Sequence, residues 1–378
     1  MIFPRVQSKL TRAALCAGAF LLHGAGPTMA SHLVFFGTYT RTTSRGIYAA
    51  RLDDDTGALT APRLVAETPN PTWVVLSPDR RFLYAVHPSK AQAIGFAVDA
   101  ADGALTPLPQ SDPTPAGSPS HLAIDATGRV LLAANYGDGF VAALPIRPDG
   151  TLGPPTITQH TGRSVNPTRQ EKPHVHSVTL SPDNRFAIVC DLGLDRIFSY
   201  ALDAAHARLT PATPPFVATE PGSGPRHFKF SPDGRHAYAI AEMGATITAY
   251  DYDAAHGALT PRQTVSTVPP DFTGLKWAAE VRVHPNGKFL YGSNRTHDSL
   301  AVFAIDHASG LLSLVEIVPC GGKTPRNFAL SPDGRWLVCG HQDSGQLSVF
   351  RVDGTTGRLT RTSHTATVPM CVCVQFYG

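Results

Sequence analysis

The chain is short of charge, of long apolar stretches and of paired cysteines, and each shortage excludes something. Only 16% of its 378 residues are Asp, Glu, Lys or Arg, against roughly 25% in an average globular domain. No apolar run reaches the roughly 18 residues that a membrane-spanning helix requires. None of the six cysteines forms a C-x-x-C pair. Cys190 and Cys339 sit in strand-like apolar runs and read as buried thiols. Long helical bundles and coiled coils are excluded by turn residues: Gly and Pro, at 33 each, make up about 17% of the chain, above an average of roughly 12% and below the roughly 25–30% of disordered chains. With 42% apolar residues, the chain can bury a sizeable core, provided that it turns often.

The N-terminus has the three parts of an export signal. Arg5, Lys9 and Arg12 precede a short apolar stretch from Ala13 to Leu22, and Thr28-Met29-Ala30 offers small residues before Ser31. Cleavage is expected after Ala30, leaving residues 31–378 as one domain in a periplasm or outside the cell. No cysteine stands where a lipoprotein anchor would need it, since Cys16 lies inside the apolar stretch. Losing three cations and no anion takes the formal charge from +3 to 0. A neutral surface argues against nucleic acid or a membrane as partner.

Two markers repeat in step. A turn recurs as Ser77-Pro78-Asp79, Asp125-Ala126-Thr127-Gly128, Ser181-Pro182-Asp183, Ser231-Pro232-Asp233-Gly234, His284-Pro285-Asn286-Gly287 and Ser331-Pro332-Asp333-Gly334, at spacings of 48, 56, 50, 53 and 47. A second motif, usually Gly-x-Leu-Thr, is centred on Leu59, Leu105, Leu152, Leu209, Leu259, Leu312 and Leu359. Each unit resolves into four short apolar runs split by Gly, Pro, Asn and Asp, which are strand and hairpin signals. Four strands in roughly 40–50 residues, repeated, predict an all-β, seven-bladed β-propeller with four antiparallel strands per blade. Val372 to Phe376 reads as a first strand with nothing after it. His32 to Thr38, Gly46 to Leu52 and the segment after Leu59 read as strands with nothing before them. Together they make a composite blade that closes the ring and leaves no edge open.

Comparison among the seven units separates scaffold from site. The Pro-Asp-Gly and Gly-x-Leu-Thr turns share one end of the blades and are near copies, so they read as turn chemistry. The other end is chemically varied. First strands begin there with Thr72, Ser120, His176, Arg226, Ala279 and Arg326, followed by Trp73, His121, Ser177, His227, Glu280 and Asn327. Second strands end there with Thr38, His87, Asn135, Asp191, Glu242, Asn294 and His341, and Arg295 follows Asn294. First strands line a propeller's channel, so these groups should converge on its mouth as a site for an anionic or oxygen-rich small molecule. Antiparallel pairing sets Arg226 beside Glu242, either as a working pair or as a rim-holding ion pair. His174 and His176 share a strand face, yet no Cys or acidic residue stands at metal-site spacing, and no metal is expected. The longest spacing reflects an insertion from Gln159 to Lys172 containing Arg163, Arg169 and Lys172. It reads equally as a basic flap over the site or as a solvated loop.

Pro173-His174-Val175-His176-Ser177, Gly224-Pro225-Arg226-His227, Ala279-Glu280-Val281-Arg282 and Ser293-Asn294-Arg295-Thr296-His297-Asp298-Ser299 together resemble the motifs of the lactonase family of seven-bladed propellers, the type of 6-phosphogluconolactonase and 3-carboxy-cis,cis-muconate lactonizing enzyme. Ala134-Asn135-Tyr136-Gly137 and Gln263-Thr264-Val265-Ser266-Thr267 extend the resemblance, which covers essentially all of residues 31–378. It implies a lactone-handling enzyme of carbohydrate metabolism without a cofactor or required metal. Its implied catalytic group is His176 (or His174), Arg226, Glu242 and Arg295. His174, His121, Asn135, His227, Glu280, Arg282, Arg326 and His341 would shape the substrate pocket.

Ester hydrolysis then needs a general base, His176 or Glu242, and cations at the developing oxyanion, Arg226 and Arg295. The expected partner is an anionic small-molecule lactone, with an unphosphorylated aldonolactone or another cyclic ester as the rival. A cycloisomerase would use the same groups without water, and a propeller that only binds ligand is a third class, because fold does not fix function.

Overall fold

The computed structural model describes residues 1, 2, 4, 31–88, 92–109 and 117–377. Of the export segment expected over residues 1–30, residues 3 and 5–30 lie outside the described residues. Seven four-stranded antiparallel sheets follow one another around a ring. Blade 1 is the composite one: Cys371–Phe376 is its innermost strand, paired with Ser31–Thr38, then Gly46–Asp53 and Arg63–Glu67. Blades 2 to 7 begin with the innermost strands Val74–Leu76, Pro119–Ile124, Val175–Leu180, Pro225–Phe230, Ala278–Val283 and Pro325–Leu330. Each innermost strand packs against the next all the way round, Cys371–Phe376 included.

Burial falls off along each blade. In the second strands Val130–Asn135, Phe186–Asp191, His236–Ala241, Phe289–Asn294 and Trp336–His341 every residue is buried. Both faces are covered by neighbouring blades, which is why these strands read as continuous apolar runs rather than alternating ones. The outermost strands alternate with solvent, as in Leu359–Thr367. Cys190, Cys320, Cys339, Cys371 and Cys373 are buried free thiols within this packing.

The two repeated turns hold the blades in different ways. In the first, Ser331 Oγ donates to Asp333 Oδ1 (2.5 Å) and accepts from the Trp336 amide (3.0 Å), fixing the hairpin locally. Where Asp125 replaces Ser, its carboxylate accepts the amides of Arg129 and Val130 at 2.7 Å. The Gly-x-Leu-Thr turn ties one blade to the previous one. Gly357 has φ +75° and lies under the Phe289 ring of blade 6, where an added Cβ would come within 2.4 Å of that ring. Tyr291 Oη donates to its carbonyl at 3.0 Å. Tyr238 with Gly310 (3.0 Å) and Tyr84 with Gly150 (2.8 Å) repeat the staple. Gly357→Ala should therefore lose about 2 kcal/mol, from left-handed backbone strain and overpacking together. Chemical denaturation of the variant measures this, and an unchanged midpoint would show that the staple carries no strain.

Candidate active site

The channel mouth owes its chemistry to a fault in the ladders. Between innermost strands and their neighbours, the register slips at Pro119/His121, Val175/Ser177, Pro225/His227, Ala278/Val281, Pro325/Asn327 and, in the composite blade, Cys371/Cys373. Ser120, His176, Arg226, Arg326 and Val372 are the extra residues, and in blade 6 Ala279 and Glu280 together face one partner. A β-bulge of this kind re-aims side chains. Strict alternation would send Arg226 and His227 to opposite faces; with the bulge both line one cavity of about 420 Å³.

Glu242 is the cavity's electrostatic centre. Its amide donates to the Gly224 carbonyl at 2.7 Å, which fixes the end of the second strand of blade 5. Its Oε2 accepts Arg226 Nε at 3.0 Å and lies 2.9 Å from Arg295 Nη2, and its Oε1 accepts Arg169 Nη2 at 2.5 Å. Burial alone would raise its pKa, but Arg295 and Arg226, then His176 and Arg169, outweigh burial and hold the carboxyl well below the usual carboxylate range. Burial, with Arg295 and Arg326 next, pulls Arg226 down to about 9, so it stays charged at neutral pH. Arg226 Nη1 also donates to the Ala279 carbonyl (2.7 Å) and approaches His227 Nε2 at 3.2 Å. Trp277 lies under both Arg295 and Arg169, 5.2 and 5.7 Å from ring centre to guanidinium carbon.

His176 lies 3.9 Å from Glu242 through Nε2, and its buried Nδ1 has no hydrogen-bond partner. Burial, then the Arg226 cation, push its pKa well below the ordinary histidine value, so the imidazole is neutral at pH 7. His227 is driven the same way by burial and Arg226. Since a guanidinium cannot accept a hydrogen bond, His227 Nε2 accepts from Arg226 and Nδ1 carries the proton, donated to Glu280 Oε2 at 3.1 Å. Glu280 also accepts from Asn327 Nδ2. His121 stacks on Trp73 at 4.0 Å and meets the His227 ring at 5.4 Å. These rings and amides from non-adjacent blades meet across the channel and close it beneath the cavity.

Of the residues singled out from sequence, His176, Arg226, Glu242, Arg295, His227 and Arg326 line the cavity together. His121 and Glu280 lie in the layer under it, so they can touch a ligand only through His227 or Asn327. The packing places the remaining residues of that set outside the cavity lining. His174 faces away: its Nδ1 meets the Tyr136 carbonyl (2.9 Å), its Nε2 meets Glu171 (3.2 Å), and its ring stacks behind Tyr136 at 4.4 Å. Asn135 is fully buried against Gln92, to which it donates at 3.0 Å, and His341 is fully buried against Ser348 Oγ at 3.0 Å. Second-strand ends are covered on both sides, so their polar groups must be satisfied inside the packing. Asp191 follows the same rule with His160 (2.7 Å), as does Asn294 with Thr267 Oγ1 (2.6 Å). Glu242 alone of that series reaches the cavity among the described residues. Arg282 lies two residues past Glu280, on the opposite side of the closing layer.

Sequence reasoning left Arg169, Trp277, Tyr136, Tyr39 and Arg41 out of the site, and all five line the cavity. Arg169 carried a signal as part of the insertion, and Tyr136 as part of the Ala134-Asn135-Tyr136-Gly137 motif. Ser164 Oγ anchors that segment to blade 4 by donating to Asp195 Oδ2 (2.6 Å), and Asn166 Oδ1 turns it by accepting the amides of Thr168 and Arg169 (3.1 Å each). It presents Arg169 to Glu242, while Arg163 is exposed and Lys172 Nζ bonds the Gly137 carbonyl outside the cavity. Among the described residues no three His, Cys, Asp or Glu side chains converge as a metal site.

The fold and the cationic cavity define a class: seven-bladed propellers whose channel mouth is built to handle a small polar molecule. Residues 33–376 match the family described as "Lactonase, 7-bladed beta-propeller", and the chain belongs to that family. It is 36% identical over 351 residues to a 6-phosphogluconolactonase of Bacillus subtilis, covering 92% of this chain and 99% of the relative. A 6-phosphogluconolactonase of Serratia proteamaculans is 33% identical over 81% of this chain and 88% of its own length. The crystal structure of a periplasmic gluconolactonase from Pseudomonas aeruginosa superposes with a TM-score of 0.85 at 34% identity, over 92% of this chain and 99% of that one.

Glu242→Gln removes the cavity's only carboxylate among the described residues and leaves three guanidinium groups uncompensated. The variant should lose about 3 kcal/mol of stability, the usual scale for breaking a buried ion pair. Because the folded Glu242 pKa is depressed, its contribution is complete above the unfolded carboxylate range and fades as pH falls toward the folded value. Denaturation of both proteins from pH 8 down to pH 3 should show a gap that persists through pH 5 and narrows below it. Equal stability at pH 7 would contradict this account of the charge cluster.

Proposed function

We propose that the protein hydrolyses the ring ester of a sugar lactone to the open hydroxy acid, with His176 as general base and the Arg226–Arg295 pair at the carbonyl. The observation that carries this reading is the neutral His176 imidazole beside guanidinium groups held in place by one ionised carboxylate. Glu242 is a poor base, because three cations stabilise its charged form. Water attacks the lactone carbonyl carbon while His176 takes its proton. Arg226 has Nη2 and Arg295 has Nη1 left over from their contacts with Glu242, and these face the growing negative charge on the carbonyl oxygen. The tetrahedral intermediate collapses by breaking the ring C–O bond, and the imidazolium returns its proton to the departing oxygen. Lactone and water become one hydroxy acid, and the enzyme is restored.

The substrate is anionic in this reading. Arg326 has no carboxylate partner among the described residues: it meets only Gln342 Oε1 and Tyr39 Oη at 3.4 Å. Arg41 lies over the Tyr39 ring at 4.1 Å, so two further cations line the cavity without an ion pair to Glu242. A carboxylate or phosphate on the lactone would neutralise them. Export is supported by the Arg5–Ala30 pattern and by the periplasmic relative, and places this chemistry outside the cytoplasm.

Acid release from a panel of neutral and acid-bearing lactones tests the proposal. His176→Ala should lower kcat by a factor of about 10² to 10⁴, and Arg326→Met should raise KM most for acid-bearing lactones. The wild-type rate should be steady at neutral pH and fall in acid, through a pKa below 6.5, as His176 becomes protonated. A His176→Ala variant with turnover within threefold of wild type would sink the assigned base, and the absence of acid release from every lactone would leave a binding protein.

A further inference from the structure

The layer of Trp73, His121, His227, Glu280 and Asn327 divides the channel, and its far side has chemistry that the catalytic reading does not use. Two residues along the innermost strands, on the same face by strand alternation, stand Thr179, Lys229, Arg282 and Gln375, all partly exposed. Solvent therefore reaches them from the end that carries the Pro-Asp-Gly turns. Lys229 and Arg282 occupy the same position on neighbouring strands of blades 5 and 6. Val75, Ala123 and Ala329, at that level in other blades, bring no charge.

The charges there do not balance. Glu280 is the one carboxylate within reach among the described residues, and it is already engaged by His227 and Asn327. Arg282 Nε lies 3.4 Å from Glu280 Oε1, yet this buried nitrogen makes no hydrogen bond. Lys229 makes no hydrogen bond or ion pair among the described residues. Burial, with the Arg282 cation next, pushes its ammonium down to about 8. A cluster serving only to close the channel would carry matched charges, since unpaired cations in a confined space are costly. Here two cations share one occupied carboxylate, with donors to spare.

We propose that Lys229 and Arg282 form a second binding site, at the far side of the channel, for a small oxyanion such as inorganic phosphate. The guanidinium offers a planar fork to two oxygens, and the ammonium a point charge to a third. Thr179 and Gln375 supply polar walls: their donors are used by the Phe228 carbonyl (3.0 Å) and the Phe376 carbonyl (2.9 Å), and they bring no negative charge. This site does not depend on the lactonase reading of the opposite cavity.

Titration calorimetry with inorganic phosphate on residues 31–378 tests it. The Arg326→Met variant should retain a phosphate site, and adding Lys229→Met should weaken that site at least tenfold. Phosphate binding that is unchanged by Lys229→Met overturns the proposal. Should that variant fail to fold, crystals of the unaltered protein soaked in selenate decide. Anomalous density between Lys229 Nζ and the Arg282 guanidinium supports the site; density only at Arg326, or none, overturns it.

Discussion

The site exists because six of the seven innermost strands each contain one residue too many. A regular ladder alternates its side chains, so it could offer only every second residue to the channel. The bulges at Ser120, His176, Arg226, Ala279–Glu280, Arg326 and Val372 break that limit at the mouth alone. Two consecutive residues per blade then turn inward: an upper tier that walls the cavity and a lower tier that closes the channel beneath it. The ladder resumes below the bulge, so the scaffold is undisturbed.

That crowding creates a charge problem, and Glu242 is its solution. Guanidinium groups from blades 5 and 6 and from the insertion of blade 4 would repel one another in a space shielded from water. One carboxylate accepts all three and fixes their orientation. The same contacts remove Glu242 from consideration as a strong base, while burial and the Arg226 cation leave His176 neutral. The cluster is thus ordered before any ligand arrives, which is what oxyanion stabilisation requires. Arg326 and Arg41, outside the cluster, keep their charge available.

Much of this was legible in the sequence, for one reason: a propeller repeats itself. Seven occurrences of a motif that is usually Gly-x-Leu-Thr, and six variants of the Ser-Pro-Asp-Gly turn, set blade number and strand order, because every blade needs the same hairpins and the same interblade staple. The composite blade was equally readable, since the strands missing at one end are present at the other. His176, Arg226, Glu242 and Arg295, which share one cavity, stood out because they break the pattern of their counterparts. Asn135 and His341 break it as well, yet they are buried between blades. A polar side chain at a strand end looks the same in one dimension whether it faces a ligand or satisfies a neighbour. Tyr39, Arg41 and Trp277 sit in loops without a repeat to be compared with.

Sequence alone determined what is periodic and local: strand lengths, turn chemistry, the count of blades and the closure of the ring. These depend on residues near one another in the chain, and repetition made them audible above the noise of single positions. Tertiary structure decided which polar residues share a cavity, which share a hydrogen bond and which side of the closing layer they occupy. Those outcomes hang on a one-residue slip in pairing and on contacts between residues as distant as Tyr39 and Arg326, and linear spacing carries neither.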